Sequence, residues 1–196
     1  MKVVAVSQRV DVLPERGETR DALDQDLVIW LRAAGYIAYP LPNAFHTDTE
    51  ICAWLDRLAP CGLVLSGGND IGAVARRDFT EETMIQYAER YKLPLLGICR
   101  GMQMMACQCL VSLIGVSGHV RTRHQLAGEI RGEVNSYHGL ALAECPPGYR
   151  VLARSEDGGI EAIRRNGLPW EGWMWHPERE LPFAERDLMR LRNLFG

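Results

Sequence analysis

Through its first 107 residues the chain alternates between two patterns. Short apolar runs lie at 2–7 (KVVAVS), 36–42 (YIAYPLP), 62–68 (GLVLSGG) and 93–98 (LPLLGI), and each is followed by a segment of helical periodicity. Runs of this length suit buried strands, and a strand–helix alternation builds a parallel sheet with helices on both faces. The first helix is expected over 20–34, with Leu23, Leu27, Trp30, Leu31 and Ala34 on one stripe and Gly35 ending it. The second starts at Thr47 or Asp48 as N-cap and carries Ile51, Trp54, Leu55 and Leu58 inwards. The third follows with Asp78 and Glu81 at capping-box spacing.

The second half is less regular. Short strands and turns are expected around 129–142, 150–158, 159–165 and 171–178, and a final amphipathic helix over 182–196 has Phe183, Leu188, Leu191 and Leu194 as core residues. The predicted fold class is therefore α/β: a mostly parallel open sheet flanked by helices on both faces, with a smaller antiparallel portion. A length of 196 residues suits one domain over 1–196.

Composition narrows the function classes. A formal net charge of -3 (22 basic, 25 acidic residues) gives no basic excess for nucleic acid or an anionic membrane. No apolar run reaches the length of a membrane span. The opening MKVVAVSQRV turns polar at Ser7, too early for a signal-peptide core, so the expectation is a cytoplasmic protein. The 6 cysteines are then expected as reduced thiols. Cys107 and Cys109 lack a second ligand pair at zinc-site spacing, and His119 and His124 are poorly spaced for helical co-ligation, so no metal and no cofactor is expected.

The turn LLGICRGMQ, 95–103, carries the chemistry. Cys99 stands between Gly97 and Gly101 where a strand hands over to a helix. A nucleophile elbow of this kind holds its residue in a strained conformation and presents the side chain above the sheet. The helix N-terminus favours a thiolate. It also offers the N–H of Arg100 as one oxyanion donor, and Gly67 or Gly68 of the SGGND rim can supply the second. The pattern alone is equally compatible with a structural cysteine in a tight turn.

A thiol nucleophile needs a base, and the base an orienting group. Among His46, His119, His124, His138 and His176, the last stands out. Trp173, Met174 and Trp175 read as a buried strand, Pro177 stops it, and Glu178 can reach back to the imidazole of His176. His138 has no acid at persuasive spacing and reads as a pocket residue.

With these residues in hand, the chain resembles the class I glutamine amidotransferases, a flavodoxin-like three-layer family, and most of all their γ-glutamyl hydrolase branch. The matching pieces are LVLSGGND (63–70), RDFTEETMIQYA (77–88), LPLLGICRGMQMM (93–105), VNSYHGL (134–140), GIEAI (159–163) and HPE (176–178). The resemblance implies a triad of Cys99, His176 and Glu178, a γ-glutamyl thioester on Cys99, and an oxyanion hole from the N–H groups of Gly68 and Arg100. It implies Gln103 and the main chain of Ser136 and Tyr137 as glutamyl contacts, with His138 and Gly67 beside them; Glu161 stays open between pocket and structural roles.

One segment departs from the pattern. Where the family commonly follows its cysteine helix with Asn-Val and Gly-Gly-Thr-Leu, this chain has ACQCLVSLIGVSGHV, 106–120. That region lies on the leaving-group side in the family, which implies a substrate other than the usual small γ-glutamyl amides. The SQRV opening and GICRGMQMM are similar to bacterial γ-glutamyl-CDP-amidate hydrolases of capsule phosphoramidate synthesis.

The reading is thus a free-standing hydrolase of a small γ-glutamyl substrate, without nucleic-acid or membrane partner and compatible with a homo-oligomer. The alternatives are a glutaminase subunit that passes ammonia to a synthase partner, or a non-enzymatic binding module. Arg76, Arg77, Arg100, Arg121 and Arg123 are the candidates for a phosphate-bearing leaving group, Arg100 first.

Overall fold

The computed structural model describes residues 1–196. Strand β1 (Lys2–Ser7) opens the chain, and β2 (Arg9–Leu13) and β3 (Glu18–Ala22) form a hairpin. Then come α1 (Gln25–Ala34), β4 (Tyr36–Leu41), α2 (Asp48–Leu58), β5 (Gly62–Leu65), α3 (Ala75–Tyr91), β6 (Leu95–Ile98) and α4 (Arg100–Cys107). The second half adds β7 (Leu113–Gly115), β8 (Val120–Gly128), β9 (Gly132–Tyr137), β10 (Leu140–Leu142), β11 (Tyr149–Arg154), β12 (Ile160–Arg165), β13 (Trp170–Trp173) and α5 (Glu185–Phe195).

The main sheet has 9 strands in the order β4-β1-β5-β6-β13-β12-β11-β8-β9. From β4 to β13 every neighbour is parallel, and from β13 to β9 every neighbour is antiparallel. The expected α/β class with its antiparallel portion is what forms. Side chains alternate across each strand, so both faces need a cover. Val4, Val6, Val64, Leu96 and Ile98 face Trp30 and Leu31 of α1 and Leu191 and Phe195 of α5. Ala5, Leu63, Leu65 and Leu95 face Ile51 and Leu55 of α2, Met84 of α3 and Met102 of α4. No helix is long and apolar enough to cross a membrane. All 6 cysteines are free thiols.

Four local expectations need correction. The segment expected as the start of the first helix is β3; α1 begins after Asp24, whose carboxylate accepts the Asp26 N–H at 3.0 Å. The helical stripe places Trp54 in the core, yet it is 42% exposed and packs against Phe45 and Tyr39. The cause is that β4 is the sheet edge, so α2 overhangs it. Asp78 is not an N-cap, because α3 starts at Ala75. Its carboxylate instead accepts the Gly72 N–H at 2.8 Å and pairs with Arg100. Residues 113–115 and 120–128, for which no strand is expected, are β7 and β8.

Candidate active site

The carboxyl ends of β1, β5, β6 and β13 meet at one rim, the place where ligands bind in open parallel sheets. Cys99 follows β6 directly, with φ 51° and ψ -104°, a conformation rare for a residue with a side chain. Its N–H donates to the Trp173 carbonyl at 2.7 Å and its carbonyl accepts the Gln103 N–H at 3.1 Å. The strained residue is thereby locked to β13 on one side and to α4 on the other.

The flanking glycines are required by close approach. A Cβ at Gly97 would lie 2.6 Å from the Gly101 carbonyl carbon, and one at Gly101 would lie 2.2 Å from the Leu65 carbonyl oxygen. Both obstacles are backbone and cannot swing aside. Gly101→Ala is therefore expected to lower stability in urea by at least about 3 kcal/mol, as overpacking at a backbone contact does. Gly115→Ala, where a Cβ meets nothing within 4 Å, should stay close to wild type.

His176 lies three residues beyond β13 and is 3% exposed. Its Nδ1 donates to Glu178 Oε1 at 2.6 Å, which leaves Nε2 for the thiol. Burial alone would push the imidazole pKa down; hydrogen bonds to Cys99 and Glu178 outweigh it and carry His176 to about 9. Asn135 clamps the His176 backbone from both sides: its Oδ1 accepts the His176 N–H at 2.9 Å and its Nδ2 donates to the His176 carbonyl at 2.7 Å. Asn135 belongs to the NSYH motif, but nothing in its spacing points to His176.

A cavity of about 180 Å³ opens at this point, lined by Cys99, Gly68, Gln103, Tyr137, His138 and His176 among others. Gly68 has φ 104°, which turns the end of β5 towards the cleft. Gly67 stands against His176, where a Cβ would come within 2.7 Å of the ring. Gln103 donates to the Leu140 carbonyl at 2.8 Å and so joins α4 to the opposite wall. Tyr137 stands edge-on to His176, with ring centroids 5.7 Å apart. Ser136 does not line the cavity; it is fully buried and its hydroxyl donates to the His119 carbonyl at 2.6 Å. His138 forms part of the wall, yet both its nitrogens point elsewhere, to the Leu140 carbonyl and to His119.

The arginines fall differently from the sequence expectation. The Arg100 guanidinium is buried and held by Glu81 and Asp78 of α3, so it is not free for a phosphate. Arg77, also a phosphate candidate, is fully buried; it pairs with Glu81 at 3.1 Å and donates to the Ser66 and Gly67 carbonyls at 2.7 and 2.9 Å. Burial lowers its pKa, with Glu81 opposing. Ser7 Oγ donates to the other side of this network, to Glu81 Oε1 at 2.7 Å, and accepts the Ser66 N–H at 2.9 Å. The buried charges thus hold the 66–68 turn against α4. Arg76 and Arg121 are exposed, and Arg123 pairs with Glu133 and Glu180. The cation that does reach the cleft is Arg179, over the Tyr137 ring at 4.7 Å. It sits three residues after His176, and no motif singles it out.

Fold and site together describe an α/β protein with a cysteine-centred cleft at the carboxyl rim of its sheet. Comparison with known proteins agrees: the sequence model of the class I glutamine amidotransferases matches residues 31–192, and the chain belongs to that family. It is 30% identical over 147 residues to the γ-glutamyl-CDP-amidate hydrolase of Campylobacter jejuni, covering 72% of each chain. It is also 30% identical over 164 residues to the first of the two subunits named for glutamine-hydrolysing GMP synthase in Thermococcus kodakarensis, covering 76% of this chain and 81% of that one. Among solved structures, a glutamine amidotransferase of Thermotoga maritima superimposes with a TM-score of 0.66 at 15% identity, over 98% of this chain and 83% of the other. The fold is that of an enzymatic family of amidotransferases and hydrolases.

Proposed function

We propose that residues 1–196 work as one hydrolase domain that cleaves a γ-glutamyl amide through a thioester on Cys99. The observation that carries this reading is the strained Cys99 turn facing the same cavity as the His176–Glu178 pair. Cys99 Sγ attacks the γ-amide carbon, and the N–H groups of Gly68 and Arg100 receive the developing oxyanion. Protonated His176 gives its Nε2 proton to the departing amine nitrogen. Water, deprotonated by the same Nε2, then attacks the thioester carbon; glutamate leaves and Cys99 is restored. Glu178 holds the ring and balances its charge throughout.

The leaving group is a phosphoramidate in this proposal. Its support is the similarity to the Campylobacter jejuni hydrolase and the position of Arg179 in the cleft, where a guanidinium can meet phosphate. Steady-state hydrolysis of γ-glutamyl-CDP-amidate, γ-glutamyl-γ-aminobutyrate and glutamine by the isolated chain tests it. The CDP-amidate should give the highest kcat/KM; equal or better turnover of glutamine contradicts the assignment. A second reading has its own support, since a relative of the same identity is named as part of a GMP synthase. In that reading the chain delivers ammonia to a separate synthase, and glutamine turnover would be weak alone and rise strongly when the partner is added.

A further inference from the structure

Behind the wall of the cleft four side chains converge that amide hydrolysis does not use. His119 precedes β8, His124 lies on it, His138 sits between β9 and β10, and Glu161 belongs to β12. One ligand atom from each lies within 4.8 Å of all the others. His119 Nδ1 and His138 Nε2 are 3.3 Å apart, and Glu161 Oε1 is 3.7 and 3.5 Å from them.

The tautomers of two of these histidines are set from outside the cluster. His119 Nε2 is 2.7 Å from Asp157 Oδ2, so it carries the proton and donates. His138 Nδ1 is 3.1 Å from the Leu140 carbonyl, an acceptor only, so it too carries the proton. The nitrogens that face inwards therefore present lone pairs, and they present them to each other and to a carboxylate. Glu161 is fully buried, and neither of its oxygens has a hydrogen-bond partner; His124 Nε2 is buried without one as well. A buried carboxylate left beside lone pairs is costly and calls for positive charge. A single proton between His119 and His138 would relieve one edge and leave His124 and Glu161 unpartnered. A four-coordinate cation meets all four groups.

We propose that His119, His124, His138 and Glu161 bind a divalent zinc-class metal ion. Imidazole and carboxylate are zinc ligands, and tetrahedral bonds of that length place ligand atoms roughly 3.3 Å apart, close to the separations found here. The outer partners fit a metal centre too. Asp157 orients His119 and is itself held by the Ser155 hydroxyl at 2.6 Å and the Gly159 N–H at 3.2 Å. The ion ties β8, the β9–β10 corner and β12 together directly behind Tyr137 and Leu140, which line the Cys99 cavity. Its role is to hold that wall; the histidines turn their nitrogens away from the cavity. Sequence spacing hides the site because β8, β9 and β12 are brought side by side only by the antiparallel half of the sheet.

Elemental analysis of the purified full chain, followed by stripping with a strong chelator and titration with zinc(II) and cobalt(II), tests the site. About one ion per chain is expected, a visible cobalt spectrum of four-coordinate type, and a Tm that rises with zinc. Asp157→Asn should weaken zinc about 10- to 100-fold. Glu161→Gln and His124→Ala should weaken it further, and His46→Ala should leave it unchanged. A stripped wild type that keeps its circular dichroism but takes up neither ion overturns the proposal. So does zinc binding that His124→Ala and Asp157→Asn, both folded, leave unaltered. Because uptake is read without substrate, the result is independent of the hydrolase assignment.

Discussion

Replacing Cys99 by alanine is expected to lower γ-glutamyl amide hydrolysis by at least about 10⁴-fold, the scale on which triad members act. Turnover within tenfold of wild type would sink the thioester mechanism. Two further readouts separate chemistry from folding. The His176 pKa, about 9 when Cys99 and Glu178 hold its proton, should fall in Cys99→Ala, as followed by NMR titration. A raised histidine pKa stabilises the folded state fully below its ordinary value of 6.5, and the gain is lost as pH rises through about 9. That slope of stability with pH should therefore shrink in the variant. The backbone at Cys99 gives the second readout. A side chain at φ 51° and ψ -104° costs roughly 1–3 kcal/mol, so Cys99→Gly should be more stable than Cys99→Ala by about that amount while remaining inactive.

Glu81→Gln should produce the largest loss of stability among changes away from the thiol. Glu81 is fully buried, and it is the carboxylate shared by Arg77 and Arg100. Removing its charge leaves two buried guanidinium groups short of a counter-ion, at a cost of about 3–5 kcal/mol. An exposed pair such as Arg150 with Glu129 should cost less than about 1 kcal/mol when broken, because solvent screens it. The damage should also reach the site, since Arg77 holds the carbonyls of Ser66 and Gly67 beside the turn that carries Gly68. A variant that folds at low temperature should lose kcat more than KM. Urea midpoints and steady-state kinetics decide both points; a loss under about 1 kcal/mol with unaltered kcat would remove the positioning role.

Where reading from sequence succeeds, the cause is local. The runs at 2–7, 62–68 and 93–98 announce parallel strands because both faces of a covered sheet must be apolar. The glycines beside Cys99 announce a tight turn because only a missing side chain permits the approach to Leu65 and Gly101. Where it fails, a local signal is overruled or absent. The stripe that begins at Leu23 runs across the Asp24 cap, so the hairpin strand Glu18–Ala22 reads as helix. Arg100 is drawn to the cleft by its neighbour in sequence, but the partners that pull it away sit 19 and 22 residues earlier on α3.

The order of residues along the chain was thus enough for the fold class, for the cysteine turn and for the His-Pro-Glu segment as a candidate base. Each of these rests on contacts within a few residues, or on a periodicity that every covered sheet imposes. Tertiary structure alone decided that Asn135 clamps His176, that Arg77, Glu81 and Arg100 form a buried charge network under the cleft, and that three histidines and a carboxylate meet behind it. Those encounters join strands and helices far apart in the chain. Lone pairs and buried charges interact through a few ångströms of space whatever their separation in sequence, so only folding could reveal them.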